Sequence, residues 1–372
     1  MPSAAPVRVL GIETPVQRIA SLDGLRALSI SLVILSHSFG GEGILGYVLH
    51  RAGDVGVLGV RVFFVISGFL ITSLLLAEHR KTGAISLPWF YFRRTMRIFP
   101  AFYAFAAVMA LVAALRVVAI PAADFLFAVT YTMNFIAEPA WALGHLWSLA
   151  VEEQFYLLWP ATLCLLGLRR GFKAAVAVVI LSPLVRFACL YVPSARPLIG
   201  LAFPTIADPL AVGCLLAGLR EWLGNQPRYL AFLRARGSAL LLPAIFVLNA
   251  LPGTKLNMLA TQTLLNICIA LVIDRWVRFP AGPFGRILNW QPVRSVGVLS
   301  YSLYLWQQPF FNINAHAAIN TFPINFTCTL LLAYASYRLV EKPCLDLRGG
   351  LERRWKAKRR EERPLVTSAR ES

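Results

Sequence analysis

The sequence predicts an all-α protein, a polytopic membrane helix bundle of about ten transmembrane helices plus one short re-entrant or interfacial segment. Three observations carry this. The 372 residues are 58% hydrophobic with a mean hydropathy of +0.64, above the share typical of a soluble domain. The apolar residues fall in blocks about long enough to cross a hydrocarbon core of roughly 30 Å. Lys and Arg also alternate from one connection to the next, the pattern left by charge retained on one side of a membrane.

Residues 1–18 form an N-terminal segment whose only charges are Arg8, Glu13 and Arg18. The apolar stretch that follows begins too polar and runs too long for a cleavable signal, so it is expected to stay as the first span. Spans are expected near 19–40, 55–77, 98–118, 145–166, 174–192, 203–219, 238–253, 257–274, 293–313 and 320–341. Every second connection is then basic. Arg80, Lys81, Arg93, Arg94 and Arg97 fall in one, Arg169, Arg170 and Lys173 in the next, Arg220, Arg228, Arg234 and Arg236 in a third, and Arg275, Arg278, Arg286 and Arg294 in a fourth. The intervening connections hold only Arg51, Arg196 and Lys255, which places both termini in the cytoplasm. The net charge of +18 thus reads as membrane orientation and not as nucleic-acid binding.

The stretch 121–144 is apolar, Pro-bounded and short, and is expected to be a re-entrant or interfacial piece on the outer side. Residues 19–345 make one transmembrane domain. The tail 346–372 is charged, unable to build a core, expected to be disordered, and suited to lie beside anionic lipid. Six cysteines are scattered with no close pair of the kind a zinc or redox site needs, so they read as core packing and no metal site is expected.

The chain lacks the GxxxxGK[ST] loop, the GxSxG elbow and the HExxH pair, which removes ATP-driven pumps, serine hydrolases of that type and zincins. Three segments instead place ionisable groups in apolar surroundings. In the first span, IASLDGLRALSISLVILSHSFG, Arg26 and His37 are eleven residues apart, which returns to within about 20° of one helix face at a rise of roughly 16 Å. With Asp23 they should face a protein-lined cavity, because ionisable groups in lipid are costly. A histidine that merely packs against a neighbouring span is the alternative for His37. In YFRRTMRIFP, Arg94 and Arg97 share a helical face; two planar forks so placed either grip a phosphate or anchor the helix in headgroups. In HLWSLAVEEQFYLLWP, His145 and Glu152 share a face, and at least one of Glu152 and Glu153 must line a cavity unless it pairs structurally with Arg26, Arg61 or Arg186. Asp208 is a further polar intrusion that serves equally as a helix-end residue. Ser67 and Gly68 read as close helix packing.

These segments resemble the acyltransferase-3 family of bacterial integral-membrane O-acyltransferases. The resemblance covers roughly residues 18–345 and rests on six signatures in family order: SLDGLRALSISLVILSHS, GVRVFFVISGFLITSLLL, FRRTMRIFP, HLWSLAVEEQFYLLWP, SYSLYLWQQPF and LVEKP. It implies transfer of an acyl group, usually acetyl from acetyl-CoA inside the cell, to a sugar hydroxyl at the outer face of the bacterial cytoplasmic (inner) membrane. It implies no permanently bound cofactor, with acyl-CoA as donor substrate and a sugar, glycan or lipid-linked saccharide as acceptor.

By the same resemblance, Arg26 and His37 are the essential first-span pair, and Arg94 and Arg97, with Arg93 beside them, bind the donor. Glu152 holds the SLxxE position, and Glu341 and Pro343 form the closing ExP motif. Asp23, Glu153, His145 and Asp208 are expected as supporting residues. Many relatives read YLWH where this chain has Gln307, which leaves more weight on His37. Some relatives add a soluble SGNH-type domain; nothing after Pro343 is expected to form one, so this chain acylates alone or hands off to a partner.

The expected mechanism docks the donor nucleotide at Arg94 and Arg97 and delivers the thioester past Arg26 to His37, which acts as a general base or transient acyl carrier. Asp23 lies roughly 21 Å along the helix from His37, so Glu152 is the expected orienting carboxylate. A secondary transporter or flippase for a lipid-linked sugar, and a scaffold in a polysaccharide-export complex, are the competing readings.

Overall fold

The computed structural model describes residues 19–38, 47, 52–251, 254, 255, 257–312, 315 and 317–361. The segment 1–18, Arg51 and the end of the tail, 362–372, lie outside the described residues. All regular elements among the described residues are helical.

The first helix, α1 (Ala20–Ser38), packs between α2 (Val55–Thr82) and α11 (Gln291–Gln307). Asp54 starts α2 by accepting the Val57 N–H at 2.9 Å, and Gly83, at φ 77°, ends it by returning its own N–H to His79, a left-handed close that a Cβ would oppose. α2 lies against α6 (Asp208–Gly224) so tightly that backbones touch. A Cβ built on Gly68 would sit 2.0 Å from the Leu210 carbonyl oxygen, and one on Gly213 2.2 Å from that of Val65. Small residues facing each other let two membrane helices approach this closely, as expected for Gly68.

α3 (Leu87–Ala114) opens on a proline and carries Pro100 inside. The stretch 121–144 holds only short helical pieces, among them α4 (Ala122–Val129) and a single turn at Trp141–Gly144. The buried Asp124 ties it together by accepting the Ala140 N–H at 2.7 Å.

α5 (Leu146–Cys189) is nominally one helix of 44 residues, broken at Gly167 by φ 75° and ψ 163°. A Cβ on Gly171 would lie 3.6 Å from the Leu163 Cα, and the Trp159 and Phe172 rings are 6.1 Å apart. A straight helix separates residues eight apart by about 12 Å, so the two halves fold back on each other, at the break expected between the spans 145–166 and 174–192.

The remaining α-helices of seven residues or more are α7 (Pro227–Arg234), α8 (Leu241–Ala250), α9 (Gln262–Arg278), α10 (Pro283–Asn289), α12 (Ile324–Ser336) and α13 (Lys342–Glu361). Among the described residues, four helices are long and apolar enough to cross a membrane, or five if the bent pair Pro227–Arg234 and Arg236–Ala250 is one span. The expected ten exceed this because several segments are short or interrupted. α6 and α11 have 17 residues and α12 has 13, about 26 and 20 Å of helix. α9 and α13 each follow a π-helical turn, at Asn257–Thr261 and Tyr337–Glu341. Beyond Arg348 the chain is helical to Glu361; the helix is held to α3 by Trp355, whose ring stacks on Trp89 with centroids 4.9 Å apart.

Two apolar clusters fill the bundle. One gathers Phe64, Phe102, Phe105, Met133 and Trp159, and the other Leu22, Phe69, Ile269, Ile273 and Leu288. Placing a side chain on the α6 face of this contact tests how tight it is. Gly213→Val is expected to cost about 1–3 kcal/mol through overpacking, read as a fall in thermal midpoint of the detergent-solubilised protein, with Gly237→Ala, which meets open space, unchanged.

Candidate active site

His37 sits in the last turn of α1. Its Nδ1 is 2.7 Å from Oε1 of Gln307 on α11, and its ring packs edge-on against Trp141 at 5.6 Å. The tautomer follows from the amides beyond it. Gln308 Nε2 donates to the Trp141 carbonyl at 2.8 Å, and a carbonyl only accepts, so the Gln308 Oε1 is turned toward Gln307. Gln307 Nε2 meets that oxygen at 3.5 Å, which leaves Gln307 Oε1 to accept from His37. The proton therefore sits on Nδ1, and Nε2 keeps its lone pair. Trp141 closes the circuit by donating its indole N–H to the Gln308 carbonyl at 2.8 Å. Beside this circuit lies a cleft of about 300 Å3 lined by Glu138, Pro139, Trp141, Trp147, Leu201 and Gln308, among others.

The expected orienting role of Glu152 toward His37 is not what the structure shows, since Gln307 holds the imidazole. Glu152 instead accepts from the hydroxyls of Ser67 on α2 and Tyr156 one turn along α5, and those hydroxyls lie 3.1 Å apart. The physical reason is reach. His145, Ser148, Glu152 and Tyr156 recur at three- and four-residue spacing and line one face of α5. It is the N-terminal members of that line that approach His37. His145 is buried and near enough to interact electrostatically with His37. Tyr304 of α11 joins the two helices, its hydroxyl 2.5 Å from Ser148 Oγ and 2.9 Å from the His145 carbonyl.

At the other end of the line, the Arg94 guanidinium lies over the Tyr156 ring, 3.7 Å from its centroid. Arg26 is within electrostatic reach of Arg97, Tyr156, Glu152 and Arg94, so the structure brings together the first-span arginine, the paired arginines of α3 and the α5 carboxylate. Arg93 differs from its neighbours. It forms an ion pair with Glu78 at 2.9 Å and lies over Trp89, which spends its charge on the protein.

The supporting residues divide. Glu153 has its Oε1 buried without a hydrogen-bond partner, within electrostatic reach of Arg94. Glu341 is buried and accepts from Ser302 of α11 at 3.1 Å. Asp23 is buried at the start of α1, where Gly297 of α11 presses on its backbone carbonyl. Asp208 stands apart from this site. Both of its oxygens hold Arg186, at 2.7 and 3.1 Å, and one also accepts from Asn266 at 2.9 Å. All three of those residues are fully buried. Arg61 bonds the same group, donating to Asn266 and to Gln262.

Sequence reasoning took Ser67 for close helix packing, where it donates to Glu152, and passed over Tyr156, Ser148, Tyr304, Trp141 and Gln308. Tyr156 and Ser148 were within its reach, because they share the heptad face of His145 and Glu152. Ser67, Tyr304 and Trp141 join from other helices, and no spacing along the chain reveals that.

The fold and site together define a helical membrane protein whose polar residues run from an imidazole with a free nitrogen to a cluster of guanidiniums. An acyltransferase domain model matches residues 19–337, and the chain belongs to the acyltransferase-3 family. It is similar to the peptidoglycan O-acetyltransferase OatA of Listeria monocytogenes, with 30% identity over 360 residues covering 87% of this chain and 55% of that protein. It is also similar to the O-acetyltransferase OatA of Staphylococcus aureus, with 28% identity over 359 residues covering 87% and 56%. The chain thus spans about half the length of the curated relatives it matches. No solved structure matches it at a significant level.

The tautomer is directly measurable. In protein carrying 15N-labelled histidine, the His37 signals are expected to report a proton on Nδ1, and Gln307→Leu is expected to give a mixture of tautomers.

Proposed function

We propose that this chain is a multi-pass O-acyltransferase of the bacterial cytoplasmic membrane. It moves an acetyl group from cytoplasmic acetyl-CoA to a hydroxyl of a glycan at the outer face. The observation that carries this reading is His37, bonded through Nδ1 to Gln307 and packed against Trp141, a residue lining an aromatic cleft, while the same line of side chains ends at a cluster of arginines. Ten crossings with both termini inside, as the alternation of basic connections indicates, would put the arginine end in the cytoplasm.

The cleft beside Trp141 suits a sugar. Trp141 and Trp147 offer apolar faces, and Glu138 and Gln308 offer hydrogen bonds, the mixture by which a pocket fixes a polar ligand. The peptidoglycan named for the Listeria relative is a natural first acceptor to test.

At the donor end, planar guanidiniums match phosphate oxygens. The thioester then extends past Arg26 along the α5 face toward His37. There Nε2 removes the proton of the sugar hydroxyl as its oxygen attacks the thioester carbonyl. The tetrahedral intermediate collapses, the C–S bond breaks, and the departing thiolate takes the proton back from the imidazolium. Gln307 keeps Nδ1 protonated through both steps, and its neutral amide accepts that hydrogen bond without adding a charge. The Glu152–Tyr156–Ser67 group holds α5 and α2 in register around the passage and sets a negative charge near Arg26.

The test is acetyl transfer by purified protein. His37→Ala is expected to lower the rate by about 10²–10⁴-fold, with coenzyme A binding unchanged and the protein folded. Unchanged transfer by that variant would overturn the base role. Accumulation of an acyl-imidazole in rapid-quench samples would make His37 a covalent carrier instead. A carrier protein that only moves a lipid-linked sugar would leave the thioester intact.

A further inference from the structure

The family match ends at residue 337, yet the helix beyond it reaches the arginine cluster. α13 lies against α3, where the Trp355 ring stacks on Trp89 with planes 11° apart, and Trp89 stacks in turn on Phe92. Two helical turns before Trp355, and so on the same face, stands the half-buried Arg348. It is within electrostatic reach of Arg97, Arg93 and Arg94. Burial and then the Arg97 charge push its pKa below the ordinary arginine value, with Glu352 opposing them and Arg93 and Arg94 adding to them.

Like charges gathered in this way repel, and the protein does little to offset it. Among the described residues, none of Arg26, Arg94, Arg97 and Arg348 has a carboxylate oxygen within 4.0 Å. The Nε atoms of Arg94 and Arg348 are buried with no acceptor. Arg220, Arg275 and Arg294 also have a buried Nε without an acceptor, so it is the gathering of Arg348 with Arg94 and Arg97 on two helices, with no carboxylate ion pair among the described residues, that points to an anion. Forks from α3 and α13 approach it from separate elements, an arrangement suited to more than one phosphate.

We propose that Arg348 is a phosphate-binding residue that completes, with Arg94 and Arg97, a site for the phosphates of the nucleotide-bearing thioester donor, and that α13 forms one wall of that site. This rests on the acetyl-CoA reading above. The Trp355–Trp89 stack positions the wall, so α13 belongs to the donor site although the family match stops before it. The same phosphate chemistry is offered by anionic lipid headgroups, and the test separates the two sources.

Coenzyme A is titrated into the full-length protein in nanodiscs of phosphatidylcholine, with and without phosphatidylglycerol, and bound lipid is counted by native mass spectrometry. Losing one charge-assisted contact is expected to raise the Kd of Arg348→Gln about tenfold or more, with Arg348→Lys in between. Trp355→Ala, which leaves Arg348 in place but removes its support, is expected to weaken binding in the same direction. Pantetheine, which lacks the nucleotide phosphates, is expected to bind Arg348→Gln and wild type alike, as is coenzyme A to the exposed-site control Arg354→Gln. If Arg94→Gln and Arg97→Gln weaken coenzyme A while Arg348→Gln stays within about twofold, the role of Arg348 falls and the donor reading stands. If wild type binds no coenzyme A but loses bound phosphatidylglycerol on Arg348→Gln, the site is a lipid site, and both the donor reading and this proposal fail.

Discussion

A polar side chain inside a hydrocarbon-facing bundle has no water to turn to, so it must find a protein partner or line a passage. That constraint organises this molecule. α1, α5 and α11 each bury polar groups in the middle of apolar sequence, and several of those groups bond one another across the helix interfaces. The His37–Gln307 bond ties α1 to α11, the Tyr304–Ser148 bond ties α11 to α5, and the Glu152–Ser67 bond ties α5 to α2. No single helix would tolerate its polar residues alone.

The other half of the bundle meets the same constraint by different means. There the bidentate Arg186–Asp208 pair, with Asn266 and Thr263 on its remaining lone pair positions, closes upon itself with no exposure. A satisfied network of this kind specifies a packing and offers nothing to a ligand. The arginines around Arg94 are the contrast. Among the described residues, Arg26, Arg94, Arg97 and Arg348 form no carboxylate ion pair like that of Arg186, and this separates a binding region from a structural one.

Much of the architecture was legible in the sequence. Apolar blocks gave an all-helical protein, the break between two expected spans falls at Gly167, and Gly68 proved to be a backbone contact point. The helix face shared by His145 and Glu152 was also visible, as was the grouping of Arg26 with Arg94 and Arg97 by family resemblance. What could not be read was the cross-helix pairing. Gln307 was noticed only as a departure from the family, while its hydrogen bond to His37 depends on how α1 and α11 are rotated. Asp208 looked like a site residue because a buried carboxylate is conspicuous; only its contact with Arg186, 22 residues back in the chain, shows that it is spent. The Arg348 helix looked like a solvated tail because its composition is charged, yet it docks on α3, with Trp355 stacked on Trp89.

The account rests on one line of side chains serving two compartments, with a thioester entering at the arginines and an alcohol at Trp141. The most direct measurement uses proteoliposomes of uniform orientation, with [14C]acetyl-CoA confined to the arginine side and a glycan acceptor confined to the other. The account predicts labelled ester on the glycan while intact acetyl-CoA stays where it was supplied. Label that forms only when donor and acceptor share a compartment would contradict it.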